Sequence, residues 1–541
     1  MSTAVELLRR GKTKDIWRKY CGFIDLSIGE FMETQRHLLL EQLRLFENCE
    51  LGRKMLWGTR PSSVDEFRQR VPLTTYRDYA PYLLKKRDDV LPEKPLFWQR
   101  TAGGLGPQRF KWVPITERHY REIGVYLIAW AIFSSCKERG NIALREHDKV
   151  FYGMAPPPYP TGSLARVLDE EFVFDVLPPR SEAEKMAYQS RMQRGISLAV
   201  PHGLDFAFAL SSVLTALGEQ FRQGMAQLSI RASLSHPKAL SRLIRGQLRS
   251  KLEKRPLLPK DLWQLKGLAS TGTDSSVFRE KIAHYWGRYP LEAYGCAELG
   301  LIALQTWDYK DMTLVPTIAF FEFIPEEEQQ KSGADPSYRP RTMLLSEVEP
   351  GRRYEIVFTS LQGGPFVRYC IGDMIRVTAL RNEELNVGLP QVSVDTRVDA
   401  IIDIGGFARL TERTISEAIR NSRLTCEVWT ARKEVIEGQP ILHIYMELKG
   451  KDRTAEQVRL AIHQNLKRLD HDYLALEDML GLQPLKVTLL PRGTFFQYAW
   501  NEQDRNDGSD EFKLPRLNAP DEIIGKLLST KPDHGLRGRF G

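Results

Sequence analysis

The stretch FVRYCIGDMIRV, from Phe366, constrains this chain most. The segments beside it, YEIVFTS before and MIRVTAL after, alternate apolar and polar residues, which predicts two strands joined through Gly372. Gly372 predicts a tight turn there, and Asp373 is expected to emerge at an exposed strand edge. A carboxylate fixed in that way can accept two hydrogen bonds from a vicinal diol, such as the hydroxyls of a ribose. A Gly-Asp pair beside a strand also fits a plain turn, so the rest of the chain has to decide.

Its 541 residues are enough for two or more domains with a large core. A formal net charge of +8 favours anionic partners, without distinguishing ATP from nucleic acid or a membrane surface. Cys21, Cys49, Cys136, Cys296, Cys370 and Cys426 are scattered, which indicates neither a zinc site nor a disulfide scaffold and favours a reducing compartment. The apolar run VYLIAWAIF from Val125 is too short to span a bilayer. With no secretory signal at the start, a soluble, cytoplasmic protein without stable membrane association is expected.

Near the start, Arg9, Arg10, Lys12, Lys14, Arg18 and Lys19 lie on a stretch predicted to be helical, for which a solvated face is a simpler reading than a targeting or membrane-surface helix. FMETQRHLLLEQLRLFENCELGRKML has helical spacing, and in FRQRVPLTTYRDYAPYL the prolines Pro72 and Pro81 predict an extended piece and a turn. In WQRTAGGLGPQRFKWVPIT, Gly103, Gly104 and Gly106 leave backbone N–H groups free to wrap an anion, and Arg109 and Lys111 add positive charge; a plain loop also fits. A Walker loop is excluded, because no Gly-Lys-Ser/Thr ending follows. From Glu122 to Ser135 a buried helix is expected, and from Arg231 to Lys260 a basic amphipathic helix whose charged face meets water. That helix lacks aromatic interleaving, so nucleic acid is not an expected partner.

Two strand-to-loop units follow, WQLKGLASTGTDS with Thr271 and Gly272, and PLEAYGCAELGLIAL with Tyr294, Gly295 and Glu298. They predict a mixed sheet with ligand groups at strand ends. FFEFIPEEEQQKSGADPSYRP reads as a strand with an acidic exposed loop. Beyond Asp373, TRVDAIIDIGGFARLTERTISEAI reads as turn, strand, glycine break and helix. ILHIYMEL, AEQVRLAIHQNLKRL and LKVTLLP then predict a small α+β module, and the polar linker WNEQDRNDGSDEF leads to Lys513 in FKLPRL. The fold class expected is α/β, mixed α+β. Residues 1–396 form a large N-terminal domain, residues 397–530 a small mobile C-terminal domain, and residues 531–541 a disordered tail.

The order glycine-rich loop, Thr-Gly turn, Tyr-Gly-x-x-Glu, Arg-Tyr-x-x-Gly-Asp and late lysine resembles the adenylate-forming superfamily. Within it the chain is most similar to the auxin-responsive (Gretchen Hagen type) acyl-acid–amido synthetases. VPLTTY…Y, FFEFIP and FKLPR resemble segments of that family, from about residue 30 to residue 520. The resemblance implies a two-step, ATP- and Mg²⁺-dependent ligase. A carboxylic acid is adenylated with release of pyrophosphate, and an amine, an amino acid being the expected class, then displaces AMP to give an amide. AMP is a good leaving group where oxide is not.

The same resemblance assigns Thr101, Gly103, Gly104 and Gly106 to the phosphates, Thr271 and Gly272 to the adenine side and Tyr294 to stacking on the base, and Lys111 and Gly295 are further expected cofactor-binding residues. It assigns Asp373 and Arg397 to the nucleotide, the former to the ribose hydroxyls, and Glu298 to Mg²⁺ and catalysis. Lys513 is the second catalytic residue, and Asp399 lies at the hinge. Ala102, Gly104, Leu105 and Ala297 stand where the family carries hydroxyls, and Cys370 where it carries Arg. Losing one such donor costs roughly 10²-fold in rate. Arg100, Arg109 or Lys111 compensates, or the adenylation half is slow. Two other readings remain open, an acyl-CoA ligase of the phenylacetate type and a nucleotide-binding protein without turnover.

Overall fold

The computed structural model describes all residues except 1, 101–110, 155–156, 159, 165, 187, 223, 225–236, 272–274, 336, 398–400, 405–407, 437–438, 450–452, 471–472, 475–483, 496, 499–513 and 531–541. Contacts divide the chain into two compact units: Met1–Ile371 with Ile375–Ser393, and Gly372–Met374 with Val394–Gly541.

A pair of strands, β1 (Pro95–Arg100) and β2 (Trp112–Thr116), runs antiparallel. The main sheet uses β3 (Asp148–Gly153), β4 (Phe174–Leu177), β5 (Phe206–Leu210), β6 (Gly267–Thr271) and β7 (Leu291–Cys296). It continues with β8 (Gly300–Gln305), β9 (Met312–Leu314), β10 (Ala319–Pro325), β11 (Arg353–Ser360), β12 (Tyr369–Ala379) and β13 (Gln391–Arg397). Their order is β10-β11-β12-β13-β9-β8-β7-β6-β5-β3-β4. From β4 to β7 the pairing is parallel, then it turns antiparallel through β8 and β9 to β13. The parallel half needs helical crossovers and is covered on both faces, which is why β5, FAFAL, is apolar and buried at every position. The helix Glu117–Ser135 packs here with Ile128, Ala129, Ile132 and Phe133 fully buried, as its apolar run predicts.

The second unit has a core of its own. A hairpin of β14 (Ile401–Ile404) and β15 (Ala408–Thr411) leads into the helix Glu412–Asn421. A three-stranded sheet follows, with β16 (Cys426–Ile436), β17 (Gln439–Leu448) and β18 (Leu485–Leu489), and the helix Ala455–Leu469 buries Val458, Ile462 and Leu466. The glycine break expected in this hairpin and the linker before Lys513 lie outside the described residues.

Three local expectations are corrected. Pro81 does not make a turn but lies inside the helix Tyr76–Leu83. There it removes one hydrogen bond near the end of a short helix, while Tyr79, Ala80 and Leu83 are held in the core. The acidic stretch after FFEFIP is the helix Glu326–Ala334, with Pro325 at its N-cap and Glu326, Glu327 and Glu328 against the positive end of its dipole. The third correction is Asp373. It lies on β12, between β11 and β13 in the interior of the sheet, and only 8% of its surface is exposed. Ile371, Met374 and Ile375 are buried beside it and draw it in. Gly372 is therefore no turn but a residue inside a strand, at φ +81°. No helix among the described residues is long and apolar enough to cross a membrane.

Candidate active site

The turn between β7 and β8 holds a buried carboxylate, Glu298. Gly295 is needed there for packing: a Cβ would lie 2.3 Å from the Gly300 carbonyl oxygen, and Gly300 itself takes φ +79°. Glu298 sits in this turn with 5% of its surface exposed. Two side chains grip the main chain on either side of it. Gln99, buried on β1, donates Nε2–H to the Ala297 carbonyl, and His119, buried on the helix Glu117–Ser135, bonds the Leu299 carbonyl through Nε2 at 3.1 Å. Burial lowers the pKa of His119 to about 4, so the ring is neutral and Nε2 donates.

The Glu298 carboxylate meets two donors. Lys111 Nζ lies 2.9 Å from Oε1, and the Tyr369 hydroxyl donates to the same oxygen at 3.1 Å. Lys111 also donates to the Tyr369 oxygen at 2.8 Å. Burial pushes the carboxyl pKa up, but the charge and hydrogen bond of Lys111, helped by Tyr369, bring it below the ordinary value, so Glu298 is buried and ionised. The Tyr369 hydroxyl is pushed far up by burial and by the carboxylate, and so acts only as a donor here. Tyr76 completes the wall. Its ring lies 5.3 Å from Lys111 Nζ, and its hydroxyl accepts from the Trp112 N–H at 2.9 Å.

A hard cation such as Mg²⁺ takes carboxylate oxygens and, in nucleotide sites, completes its shell with phosphate and water. The buried, ionised carboxylate of Glu298 fits that donor type. Among the described residues no cluster of three or more His, Cys, Asp or Glu side chains forms a cage by itself. A cation held by Glu298 therefore takes the rest of its shell from water or from a bound ligand.

Of the other residues singled out in the sequence, Thr271 closes β6 and its hydroxyl donates to the Ala293 carbonyl at 3.4 Å. Tyr294 is buried on β7, and Arg397 ends β13. Thr101, Gly103, Gly104, Gly106, Gly272, Asp399 and Lys513 lie outside the described residues.

The motif arginine, Arg368, has a structural task. Its guanidinium forms a fork with Glu322 of FFEFIP, Nε to Oε2 at 2.9 Å and Nη2 to Oε1 at 2.7 Å, both side chains being almost fully buried. Nη1 donates to the Arg68 carbonyl at 2.7 Å. The VPLTTY segment is tied to the same strand, with Thr74 N–H on the Arg368 carbonyl at 2.9 Å and Cys370 N–H on the Thr74 carbonyl at 2.8 Å. Three separate motifs are thus one hydrogen-bonded unit that fixes Tyr369.

The GH3 family N-terminal domain matches residues 22–147, and the GH3 family central domain matches residues 312–393. The two matched stretches cover 208 of the 541 residues. The first holds Gln99, Lys111 and His119, the second Arg368, Tyr369 and Asp373. Indole-3-acetic acid-amido synthetase GH3.10 of Arabidopsis thaliana is 26% identical over 286 residues, 49% of this chain and 47% of that protein. Jasmonoyl–L-amino acid synthetase GH3.5 of Oryza sativa subsp. japonica is 25% identical over 271 residues, 47% of this chain and 45% of that one. The chain spans about half the length of these curated relatives. Among solved structures, AtGH3.15 acyl acid amido synthetase in complex with 2,4-DB superposes with a TM-score of 0.70 at 16% identity, covering 96% of each chain. A 2-hydroxyisobutyryl-CoA ligase in the postadenylation state gives a TM-score of 0.56 at 17% identity, covering 90% of this chain and 92% of its own. The mixed α+β fold is the one these GH3 and acyl-CoA ligase structures share.

Proposed function

We propose that this protein is an ATP-dependent, AMP-forming ligase that adenylates a carboxylic acid and passes the acyl group to an amine, an amino acid being the class its curated relatives' names point to. The observation that carries the reading is Glu298, a carboxylate kept ionised in a buried turn by Lys111. Such a group serves little purpose in packing and suits a cation that arrives with phosphates.

In this reading Mg²⁺, when bound, neutralises phosphate charge, and Glu298 holds it. Gln99 and His119 keep the Glu298 turn rigid, so the carboxylate is pre-positioned. Asp373 takes the ribose hydroxyls, Thr101, Gly103, Gly104 and Gly106 take the phosphates, and Thr271, Gly272, Tyr294 and Gly295 border the base, with Arg397 nearby on the nucleotide. Lys513 supplies positive charge as it develops on the reacting oxygens, and Asp399 serves as hinge.

Pyrophosphate exchange against a panel of aryl and alkyl acids tests the first half. An acid that supports exchange is then offered amino acids and, separately, coenzyme A. Amine-dependent AMP release supports the proposal, and release only with coenzyme A moves it to a thioester-forming ligase. Nucleotide binding without exchange for any acid ends the catalytic reading.

A further inference from the structure

Glu298, Lys111 and Tyr369 close a triangle among themselves, with both donors on a single carboxylate oxygen. Two of its corners are fixed. Glu298 is held through its turn by Gln99 and His119. Tyr369 is packed against Tyr79, Phe358 and Phe366 at ring-centroid distances of 6.0, 5.2 and 4.8 Å, and its backbone is bridged to Thr74. The third corner differs. Lys111 precedes β2, its side chain is 23% exposed against 3% for Glu298, and a four-carbon stem carries its ammonium.

We infer that Lys111 is the resident counter-ion of Glu298: it closes the carboxylate to free divalent cations until phosphate oxygens draw the ammonium away, while Tyr369 positions Oε1 throughout. The inference rests on reading Glu298 as the cation ligand of the nucleotide site. A free cation meets a carboxylate whose charge is already matched, with an ammonium repelling it a few ångströms away. A cation that arrives with a polyphosphate meets different terms. The phosphate oxygens accept Lys111, the cation takes Glu298, and no buried charge is left alone at either end of the exchange. A lysine suits this better than an arginine, whose planar fork would grip the carboxylate bidentately. The exchange also supplies a cationic phosphate donor in a chain where Ala102, Leu105 and Ala297 carry no hydroxyl.

The test is a Mn²⁺ titration of nucleotide-free protein, with unbound Mn²⁺ read by electron paramagnetic resonance. Wild type is expected to show no saturable uptake at this site. Lys111→Met and Lys111→Gln should each gain one Mn²⁺ site, on the order of a hundredfold or more tighter than wild type, and adding Glu298→Gln should abolish it. Lys111→Arg keeps the charge and should stay closed. Saturable uptake by the wild type that Glu298→Gln removes overturns the inference without any lysine variant. So does a folded Lys111→Met protein, checked by near-ultraviolet circular dichroism, that gains no site. A calorimetric titration with MgATP separates the two ideas. Equal affinity in wild type and Glu298→Gln rejects Glu298 as ligand, whereas Glu298-dependent MgATP binding with no Mn²⁺ gain in the lysine variants rejects only the counter-ion role.

Discussion

At the residue scale, what fixes Glu298 in place is its support, and the support was hidden. The sequence pointed to Glu298 through Tyr-Gly-x-x-Glu. Gln99 and His119 carry no such signal, because each acts on a main-chain carbonyl far along the chain, Gln99 across 198 positions and His119 across 180. His119 has a consequence for stability. Its folded pKa of about 4 lies below the usual 6.5, so as pH falls between those values the unfolded chain takes the proton first. The stability this ring contributes is complete above pH 6.5, and roughly 3 kcal/mol is lost by pH 4. Urea denaturation of wild type and His119→Gln across that range should show a shallower pH dependence in the variant; parallel curves would place the titration elsewhere. Glu298→Gln keeps shape and burial but loses charge, and adenylation should then demand far more Mg²⁺, measured as the Mg²⁺ dependence of pyrophosphate exchange. For Asp373, burial dictates the choice of variant. Alanine would leave a hole in the interior of the sheet, so Asp373→Asn is the informative change, and calorimetry with AMP should show weakened binding in a protein that melts near the wild type.

At the scale of elements, the pieces VPLTTY, FFEFIP and the arginine of Arg-Tyr-x-x-Gly-Asp were legible as motifs but not as one object. Their link is the Glu322–Arg368 fork and the strand-like bridge at Thr74, contacts between segments that no local periodicity encodes. The helices themselves were legible where an apolar run or an apolar face marks them, as in the buried stretch Glu122 to Ser135 and in Ala455–Leu469. Misreadings fell where a polar or proline signal was outweighed by packing, as at Pro81 and Asp373. Arg368→Ala should be costly, about 3–5 kcal/mol in chemical denaturation, because buried Glu322 loses its fork and keeps only the Thr342 hydroxyl and Arg68 Nε at 3.7 Å. Replacing both, Arg368→Met with Glu322→Gln, should recover much of that loss, since no lone charge remains. If the double variant is as unstable as the single one, the fork is held for its hydrogen bonds to Thr342 and Arg68 rather than for its charge.

At the scale of the whole molecule, the chain has two units with separate cores. Ile356 on β11 is fully buried in the core of the first, and Ile462 on the helix Ala455–Leu469 is fully buried in that of the second. Cores that share no side chains can melt independently, and a two-state description of the whole chain then fails. Differential scanning calorimetry of the intact protein should resolve two transitions. Ile356→Ala and Ile462→Ala each remove a fully buried side chain and should each cost about 2–5 kcal/mol, but each should lower a different transition. Nucleotide gives the third arm. A ligand stabilises only the state that binds it, by RT ln(1 + [L]/Kd). Thr271, Tyr294 and Gly295, which border the base in this reading, belong to the first unit, so AMP should raise the transition that Ile356→Ala lowers. Glu298→Gln should leave that shift in place when AMP is added without metal, because in this reading its carboxylate acts through the cation. A single transition displaced equally by both isoleucine variants would mean that the two cores unfold as one cooperative structure, and that the division seen in the contacts carries no energetic boundary.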